Sequence, residues 1–358
     1  MKNIGTGIGK RRCDVCVVDG RGRVLERGQY PNTAEDAGRF AGAMARRYGR
    51  AACQAACETT GNMWMKTHAA FENAGIRILL ANTFKMAIIA RTGKKTDKVD
   101  AEKIAQVLRM GMIPECHVPS AGSRAARDRL RQRAKLVQDR TRVVNRLRNL
   151  PGRHDAELEA SRAYSAKAIA RMSAMELGED TGTVRQYARQ IAYLNGEIDA
   201  IEREITMMAH GSEDARLLAS MTGMGTHSAM LLAAEADGVS RFASPKRMVS
   251  WAGLCPTIHQ SGNQKYMGRM KKMDTNRTVN WTMIEAANVA VRHGPRMAAV
   301  YESARRRHAD RHAQAIVVVA HKMITIAWHM LRTRTPYESR NEKLYLRKLD
   351  RMGRGRRS

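Results

Sequence analysis

Short apolar runs separated by turn residues open the chain. Residues 3–9, 13–19 and 23–30 carry strand patterns, with Val15, Val17 and Val18 in the middle run and Asp19-Gly20-Arg21-Gly22 as a turn. Helical periodicity predicts a helix over 34–48. The run Ala51–Cys57 that follows stops abruptly at Glu58-Thr59-Thr60-Gly61. A second helix fits 62–74 and a buried strand fits 76–80. Helical patterning resumes from about Lys98 to Met110. Three strands followed by alternating helix and strand predict an α/β sheet with an antiparallel hairpin edge.

From Ala121 the pattern becomes helical. Leu130, Val137 and Val144 form one row at seven-residue spacing, and Leu136, Val143 and Leu150 form another. After Pro151-Gly152 comes an alanine-rich stretch. The series Val184, Tyr187, Ile191, Leu194, Ile198, Ile201, Ile205, Met208 then alternates three and four, which is a heptad seam. Such a seam packs either on a helix of the same chain or on a second copy. From Ser212 a third pattern holds: Met221-Thr222-Gly223-Met224-Gly225, an apolar helix over 227–236, and a helix starting near Lys246. A polar loop over 257–276 and helices over 277–293 and 296–333 complete it. The tail 338–358 is basic, lacks apolar periodicity over its last residues, and reads as a flexible phosphate-contacting arm.

Charge changes the picture. Sixty-three Lys and Arg stand against 34 Asp and Glu, for a formal charge of +29. That balance disfavours a self-contained small-molecule enzyme and points to a polyanionic partner held by phosphate neutralisation. No apolar run looks long enough to span a bilayer, and residues 1–12 carry no apolar signal stretch, so a cytoplasmic address is expected. Cys13 and Cys16 form a CxxC without a second pair at zinc-ribbon spacing. On a strand their thiols point to opposite faces, so buried reduced thiols are expected.

Three carboxylates stand out by position. Glu58 ends a buried strand, and Asp97 and Asp100 lie three apart at a helix start, on one face. Each has an ordinary structural explanation, Glu58 as an exposed strand-end acid and Asp97 as an N-cap. Flanked by Lys94, Lys95 and Lys98 they stay ionised at neutral pH, and clustered carboxylate oxygens suit a hard cation such as Mg²⁺. Hairpin strands, a strand-end Glu and a helix bearing Asp-x-x-Asp together resemble ribonuclease-H-like nucleases, which points to phosphodiester chemistry.

Lys95-Thr96-Asp97-Lys98-Val99-Asp100-Ala101, Glu58-Thr59-Thr60-Gly61, the stretch Phe242…Trp251-Ala252-Gly253-Leu254-Cys255-Pro256 and Ser261-Gly262 resemble, in order and spacing, the DEDD-type, bridge-RNA-guided insertion-sequence transposases of insertion-sequence family one hundred and ten. The resemblance covers nearly the whole chain. It implies an α/β plus all-α architecture: an RNase H/RuvC-like DEDD catalytic domain over 1–118, a long helical coiled-coil arm over 119–211, a mostly helical C-terminal transposase domain over 212–335, and the basic tail over 336–358. It further implies Mg²⁺ on Glu58, Asp97 and Asp100, and Ser261 as a nucleophile that becomes covalently linked to DNA. The implied partners are element-end and target DNA, a guide RNA, and further copies of the chain in a dimer or tetramer.

The family's opening acid is absent. Where its motif runs apolar-Gly-apolar-Asp, this chain has Ile4-Gly5-Thr6-Gly7, so Gly7 takes the place of the first Asp. Asp14 on the next strand would face residue 7 across the hairpin. Loss of one ligand in four leaves three readings open: an active recombinase, a RuvC-like metal-dependent nuclease that needs no serine, and a nucleic-acid binder that cuts nothing. Outside the resemblance, a serine before glycine is a turn residue. His259, Lys265 and Arg269 are close enough in sequence to assist it, and Ser250, Ser244 and Ser228 are lesser candidates. Met221–Gly225 resembles the hairpin of helix-hairpin-helix modules that grip a DNA backbone, and an ordinary helix-joining turn explains it equally well.

Overall fold

Two opening strands buried on both faces, followed by a third with alternating burial, set the architecture of the amino-terminal unit. In the computed structural model, which describes residues 1–59, 61–89, 97–150, 154, 164–261, 264–270, 274–307 and 311–354, the chain divides into two units, Met1–Val118 and Pro119–Ser358. The first contains β1 (Lys2–Ile8), β2 (Arg12–Val18), β3 (Val24–Pro31), α1 (Ala34–Tyr48), β4 (Cys53–Glu58), α2 (Trp64–Asn73), β5 (Arg77–Ala81), α3 (Thr83–Ile89) and α4 (Asp97–Arg109). The sheet order is β3-β2-β1-β4-β5. The first three strands are antiparallel, whereas β4 runs parallel to both β1 and β5.

Strand periodicity divides the side chains between two layers. Ile4, Cys13, Val15, Val17, Ala55, Cys57, Ile78 and Leu80 pack under α1 and α2 with Ala37, Ala41 and Phe71. On the other face Ala56 and Ala81 meet Met86, Ile104 and Leu108, and Cys16 and Val18 meet Ala101 and Ala105 of α4. Gly5 lies where α4 crosses β1. A Cβ there would stand 2.1 Å from the Ala101 carbonyl oxygen and 2.5 Å from the Ala105 nitrogen, so the helix backbone can seat only on glycine. Thr33 starts α1, its side chain accepting the Asp36 N–H at 3.0 Å.

The second unit begins with α5 (Ala121–Arg148), followed by α6 (Ala166–Ala174) and α7 (Thr181–Gly211). At 31 residues α7 is about 46 Å long. It lies antiparallel to α5. Val143, Val144 and Leu147 meet Val184, Ala188 and Ile191, while Leu130 shares a core cluster with Ile201 and Ile205. Arg133 bonds Glu202 at 2.6 Å and Arg129 bonds Glu204 at 2.9 Å along the flank. The heptad seam is therefore filled within the chain by α5.

Beyond the arm come α8 (Glu213–Ala219), α9 (Thr226–Ala236), α10 (Pro245–Trp251), β6 (Pro256–Ser261), β7 (Gln264–Met270), α11 (Arg277–His293), α12 (Pro295–Arg307), α13 (His312–Thr333) and α14 (Glu342–Arg354). Four features differ from the sequence reading. Residues 257–276, read as a polar loop, contain the antiparallel hairpin β6–β7, in which Ser261 pairs with Gln264. The sequence between them reads Gly-Asn, a dipeptide type that signals a hairpin and that polar composition obscured. The single helix read over 296–333 is two helices, α12 and α13, packed on each other. Folding back buries Ile316, Val319, Ala320 and Met323 in the core.

Of the tail over 338–358, read as a flexible arm, residues 342–354 form α14 against α7 and α8, and residues 355–358 lie outside the described residues. Its residues 345, 348, 349, 352 and 353 turn inward at helical spacing, and Met352 is fully buried. Finally, the 22 residues of α13 have the length and composition of a membrane span. Half of its most apolar window is buried, and the face from Ala315 to Met330 belongs to the core of this unit. Such a helix is ordinary in the centre of a helical domain.

Candidate functional site

In the first unit, strand register gathers the acids. Gly7 is the Cα partner of Asp14, and the parallel pair Thr6–Cys57 puts Gly7 level with Glu58. By the same alternation that points Cys16 and Ala56 towards α4, residues 7, 14 and 58 all belong to the α4 face. The direction of α4 decides which end of the helix they meet. Its last turn is at the far end of the sheet, where Gln106 Nε2 donates to the Gly22 carbonyl at 2.8 Å, and its middle lies on Gly5. The first turn, Asp97 to Asp100, thus lies over the C-terminal ends of β1 and β4. There a helix N-terminus also contributes partial positive charge.

Asp14 is buried, and its Oδ1 accepts from Gln29 Nε2 at 2.6 Å. It borders a cleft of about 260 Å³ lined also by Val15, Arg27, Gly28 and Gln29, and Arg27 is bonded to Glu102 at 2.6 Å. Asp100 is paired with Lys103 at 3.2 Å. For Asp97 the backbone alone is described, and Thr60, Lys94, Lys95 and Thr96 lie outside the described residues. Among the described residues no three His, Cys, Asp or Glu side chains converge as a metal site. The acidic residues brought to this edge, Asp14, Glu58 and Asp100, carry carboxylate oxygens, the chemistry a hard cation takes. Gly7 leaves a position without a donor between Asp14 and Glu58.

None of the six cysteines forms a disulfide. Cys13 and Cys16 face opposite layers as expected, and burial raises both thiols and pushes Cys57 up to about 12.

In the second unit, Ser261 is the last residue of β6 and stands at the tip of the hairpin, with Gln260 paired to Lys265 and His259 to Tyr266. The side chains from 258 to 261 and from 264 to 269, and all of Gly262 and Asn263, lie outside the described residues. Ser228, Ser244 and Ser250 are elsewhere, in α9, at the start of α10 and within α10. At the base of the hairpin Asn276 N–H donates to the Trp251 carbonyl at 2.7 Å, and Asn280 Nδ2 donates to those of Ala252 and Gly253 at 3.1 and 3.0 Å.

Behind this stem is a group the sequence reading missed. Glu235, 4% exposed, is surrounded by Arg131 at 3.0 Å, Arg127 at 3.4 Å and Asn276 Nδ2 at 2.8 Å. Arg241 donates to the Glu235 carbonyl at 3.1 Å. Its guanidinium lies 4.4 Å from the Phe242 ring centre and 4.9 Å from that of Trp251. Desolvation, then the nearby Arg127 charge, pulls Arg241 down to about 10. The signal available in the sequence was a lone carboxylate inside the apolar run Ala229–Ala236.

The turn Met221–Gly225 packs closely. Gly223 has φ +91°, and a Cβ on it would come within 2.3 Å of the Ala286 carbonyl of α11. Lys348 Nζ from α14 donates to the Ala219 and Met224 carbonyls at 2.8 Å, gripping the turn from the tail side. Gly225 precedes α9 without a side-chain cap.

Comparison with known proteins now bears on this geometry. Residues 4–150 match a family model described as a transposase, and residues 215–302 match the model of the transposase IS116/IS110/IS902 family; together the matches span well over half of the chain. A probable family 20 transposase of Pseudomonas aeruginosa is 29% identical over 187 residues, covering 50% of this chain and 55% of the relative. The transposase for insertion sequence element IS1111A of Coxiella burnetii is 24% identical, covering 82% of this chain and 79% of its own length. An insertion element IS116 protein of Streptomyces clavuligerus is 27% identical, covering 66% of this chain and 71% of that protein. Against the Pseudomonas relative the similarity spans about half the length of that protein.

Proposed function

Because the chain belongs to the IS110/IS116 family of insertion-sequence transposases, we propose that it catalyses RNA-guided DNA strand cleavage and exchange. In this reading Glu58, Asp97 and Asp100 hold Mg²⁺ and Ser261 is the nucleophile. The observation that carries the reading is the register of the first unit, which levels Glu58 with Gly7 and Asp14 at the end of the sheet towards which the start of α4 runs. Three antiparallel strands followed by two parallel ones, with helices on both faces, support an RNase H/RuvC-like assignment for that unit.

The chemistry is a transesterification. Ser261 Oγ attacks a DNA phosphorus and the P–O bond to one deoxyribose breaks. The hydroxyl proton passes to a base, and the departing sugar oxygen takes up a proton. Attack on the phosphoserine ester by a sugar hydroxyl of another strand reverses these changes and completes the exchange. Mg²⁺, when held by the carboxylates, supplies positive charge to the phosphate oxygens. The formal charge of +29 supports DNA and guide RNA as partners. A dimer or tetramer would bring the acids of one copy to the serine of another, and the work belongs in the cytoplasm with the DNA.

Gly7 favours a second reading, a copy that binds nucleic acid and is impaired in cutting, because a ligand position is empty of any carboxylate. A RuvC-like nuclease using a metal-activated water is the third. Covalent protein–DNA adducts separate the three. Wild type, Gly7→Asp and Ser261→Ala are mixed with co-purifying RNA, Mg²⁺ and DNA spanning the element ends, then run on denaturing gels. An adduct in wild type that disappears in Ser261→Ala is the expected result. Adduct from Gly7→Asp alone identifies an impaired copy, and cleavage that survives Ser261→Ala identifies the nuclease. No adduct from wild type or Gly7→Asp, with RNA bound, overturns the serine assignment.

A further inference from the structure

We infer that Glu235 and Asn276 form a lock on the stem of the β6–β7 hairpin and are positioning residues for Ser261. The inference rests on the reading of Ser261 as the nucleophile. It begins with the hairpin itself. Among the described elements neither β6 nor β7 packs extensively on anything but the other. A lone two-stranded hairpin is marginally stable in water, so the direction in which its tip points is set by its stem.

The stem has two sides, the segment after Trp251 and the segment before α11. Asn276 joins them, and each of its polar groups has a separate task. Its N–H donates to the Trp251 carbonyl at 2.7 Å. Its Oδ1 accepts the Val279 N–H at 3.0 Å, capping α11. Its Nδ2 donates to Glu235 Oε2 at 2.8 Å. Only asparagine supplies this combination in so short a side chain, since Asp lacks the side-chain donor and Ser lacks the second polar atom. Asn280, one helical turn on, fixes the opposite side through the Ala252 and Gly253 carbonyls.

Glu235 anchors the arrangement to the body of the unit. It lies near the end of α9, and Arg127 and Arg131, which face it from α5, fix its carboxylate. The Arg127 guanidinium also donates to the Ala234 carbonyl at 3.0 Å and the Glu235 carbonyl at 2.9 Å, so α5 and α9 are tied at this point. Arg241, stacked on the Trp251 ring, donates to that same carbonyl and joins the other side of the stem to the group. Burial of a carboxylate among guanidinium groups adds little to stability by itself, because desolvation offsets much of the attraction. What the group supplies is one defined geometry for the two chain segments that leave the core to form the hairpin.

The test uses the full chain with Asn276→Asp, Glu235→Gln and the double variant. Asn276→Asp keeps the helix cap and the backbone N–H but sets one carboxylate against another. The double variant restores a bond with reversed roles, the new amide at position 235 donating to the new carboxylate at position 276, and leaves the total charge of the pair unchanged. Hydrogen exchange is read at the amides of Gly253, Leu254 and Asn276 and, as a control, across α13. The serine–DNA adduct rate is measured with Mg²⁺, co-purifying RNA and element-end DNA. The expected result for Asn276→Asp is stem exchange faster by tenfold or more and an adduct rate lower by tenfold or more, with α13 protected as in wild type. The double variant should recover both.

Unchanged stem exchange in Asn276→Asp would overturn the lock. Loss of protection in α13 that the double variant does not repair would reduce the pair to a general stabilising role and overturn the positioning claim. Faster stem exchange with an unchanged adduct rate would do the same. If only Gly7→Asp makes the adduct, the adduct rates are compared in that background; if neither it nor wild type does while the exchange pattern follows expectation, the reading of Ser261 falls and the lock on the stem stands.

Discussion

His227 gives a pH dependence whose size follows from its surroundings. It lies in the first turn of α9, mostly buried, and its Nε2 has no hydrogen-bond partner among the described residues. Burial, helped by the Arg133 charge and opposed by Glu202, pulls its imidazole from 6.5 down to about 4. The native state therefore holds it neutral while the unfolded chain takes up a proton below about 6.5. Stability from this group is full above the unfolded pKa and falls as pH drops, with the loss complete near pH 4. At about 1.4 kcal/mol per pH unit the whole effect is about 3 kcal/mol, and about 2 kcal/mol of it appears between pH 7 and pH 5. Other groups titrate in the same range, so the measurement is a difference. Guanidinium unfolding of wild type and His227→Leu, followed by circular dichroism at both pH values, isolates it. Leucine is close in size and needs no partner, so His227→Leu should lose about 2 kcal/mol less than wild type on acidification. An equal loss in both proteins would refute the reasoning, because the native state would then hold the imidazole with no penalty on its charged form.

Four further outcomes are expected. Gly5→Ala forces α4 off β1, since the new methyl would sit 2.1 Å from the Ala101 oxygen. It should cost at least about 3 kcal/mol in denaturant titration and abolish the adduct; wild-type stability would disprove the close seating. Leu147→Ala, at a fully buried seam position, should cost about 2–5 kcal/mol, with loss of exchange protection concentrated in α5 to α7. Gly7→Asp puts a carboxylate between Asp14 and Glu58, so its melting temperature should fall without divalent cation and rise more than that of wild type on addition of Mg²⁺; equal Mg²⁺ responses would count against the acid site. Duplex DNA affinity should fall on raising salt, with a log–log slope steeper than about −4, read by fluorescence anisotropy, and a flat response would remove phosphate contacts as the source of binding.

What could be read in the sequence depended on how much of each element's placement is local. The strands of the first unit, α1 and α4 follow from period-two and period-3.6 patterns. The hairpin strands pack on neighbours close in sequence, and α4, although it meets β1 and β2 about ninety residues earlier, carries a dense apolar stripe that reads without them. The tail failed that condition. Its inward positions, Tyr345, Leu349 and Met352, are sparse among lysines and arginines, and they make a stripe only because α7 and α8, more than a hundred residues earlier, are there to receive them. The β6–β7 hairpin was hidden by polar composition, although Gly262-Asn263 between two short runs was the relevant cue.

The candidate acids divide along the same line. Glu58 and the Asp97–Asp100 pair were visible because a strand end and a helix start are local features. That they share an edge with Gly7 and Asp14 required the register, and register is a long-range property. Glu235 shows the converse. A lone carboxylate in an apolar helix announces that partners exist, but Arg127, Arg131 and Asn276 come from separate elements and no spacing rule connects them. A residue whose role is to hold other segments in place is defined by contacts between distant parts of the chain. Its sequence signature is therefore an apparent misfit with its immediate neighbours, and such misfits are where a positioning role is best sought.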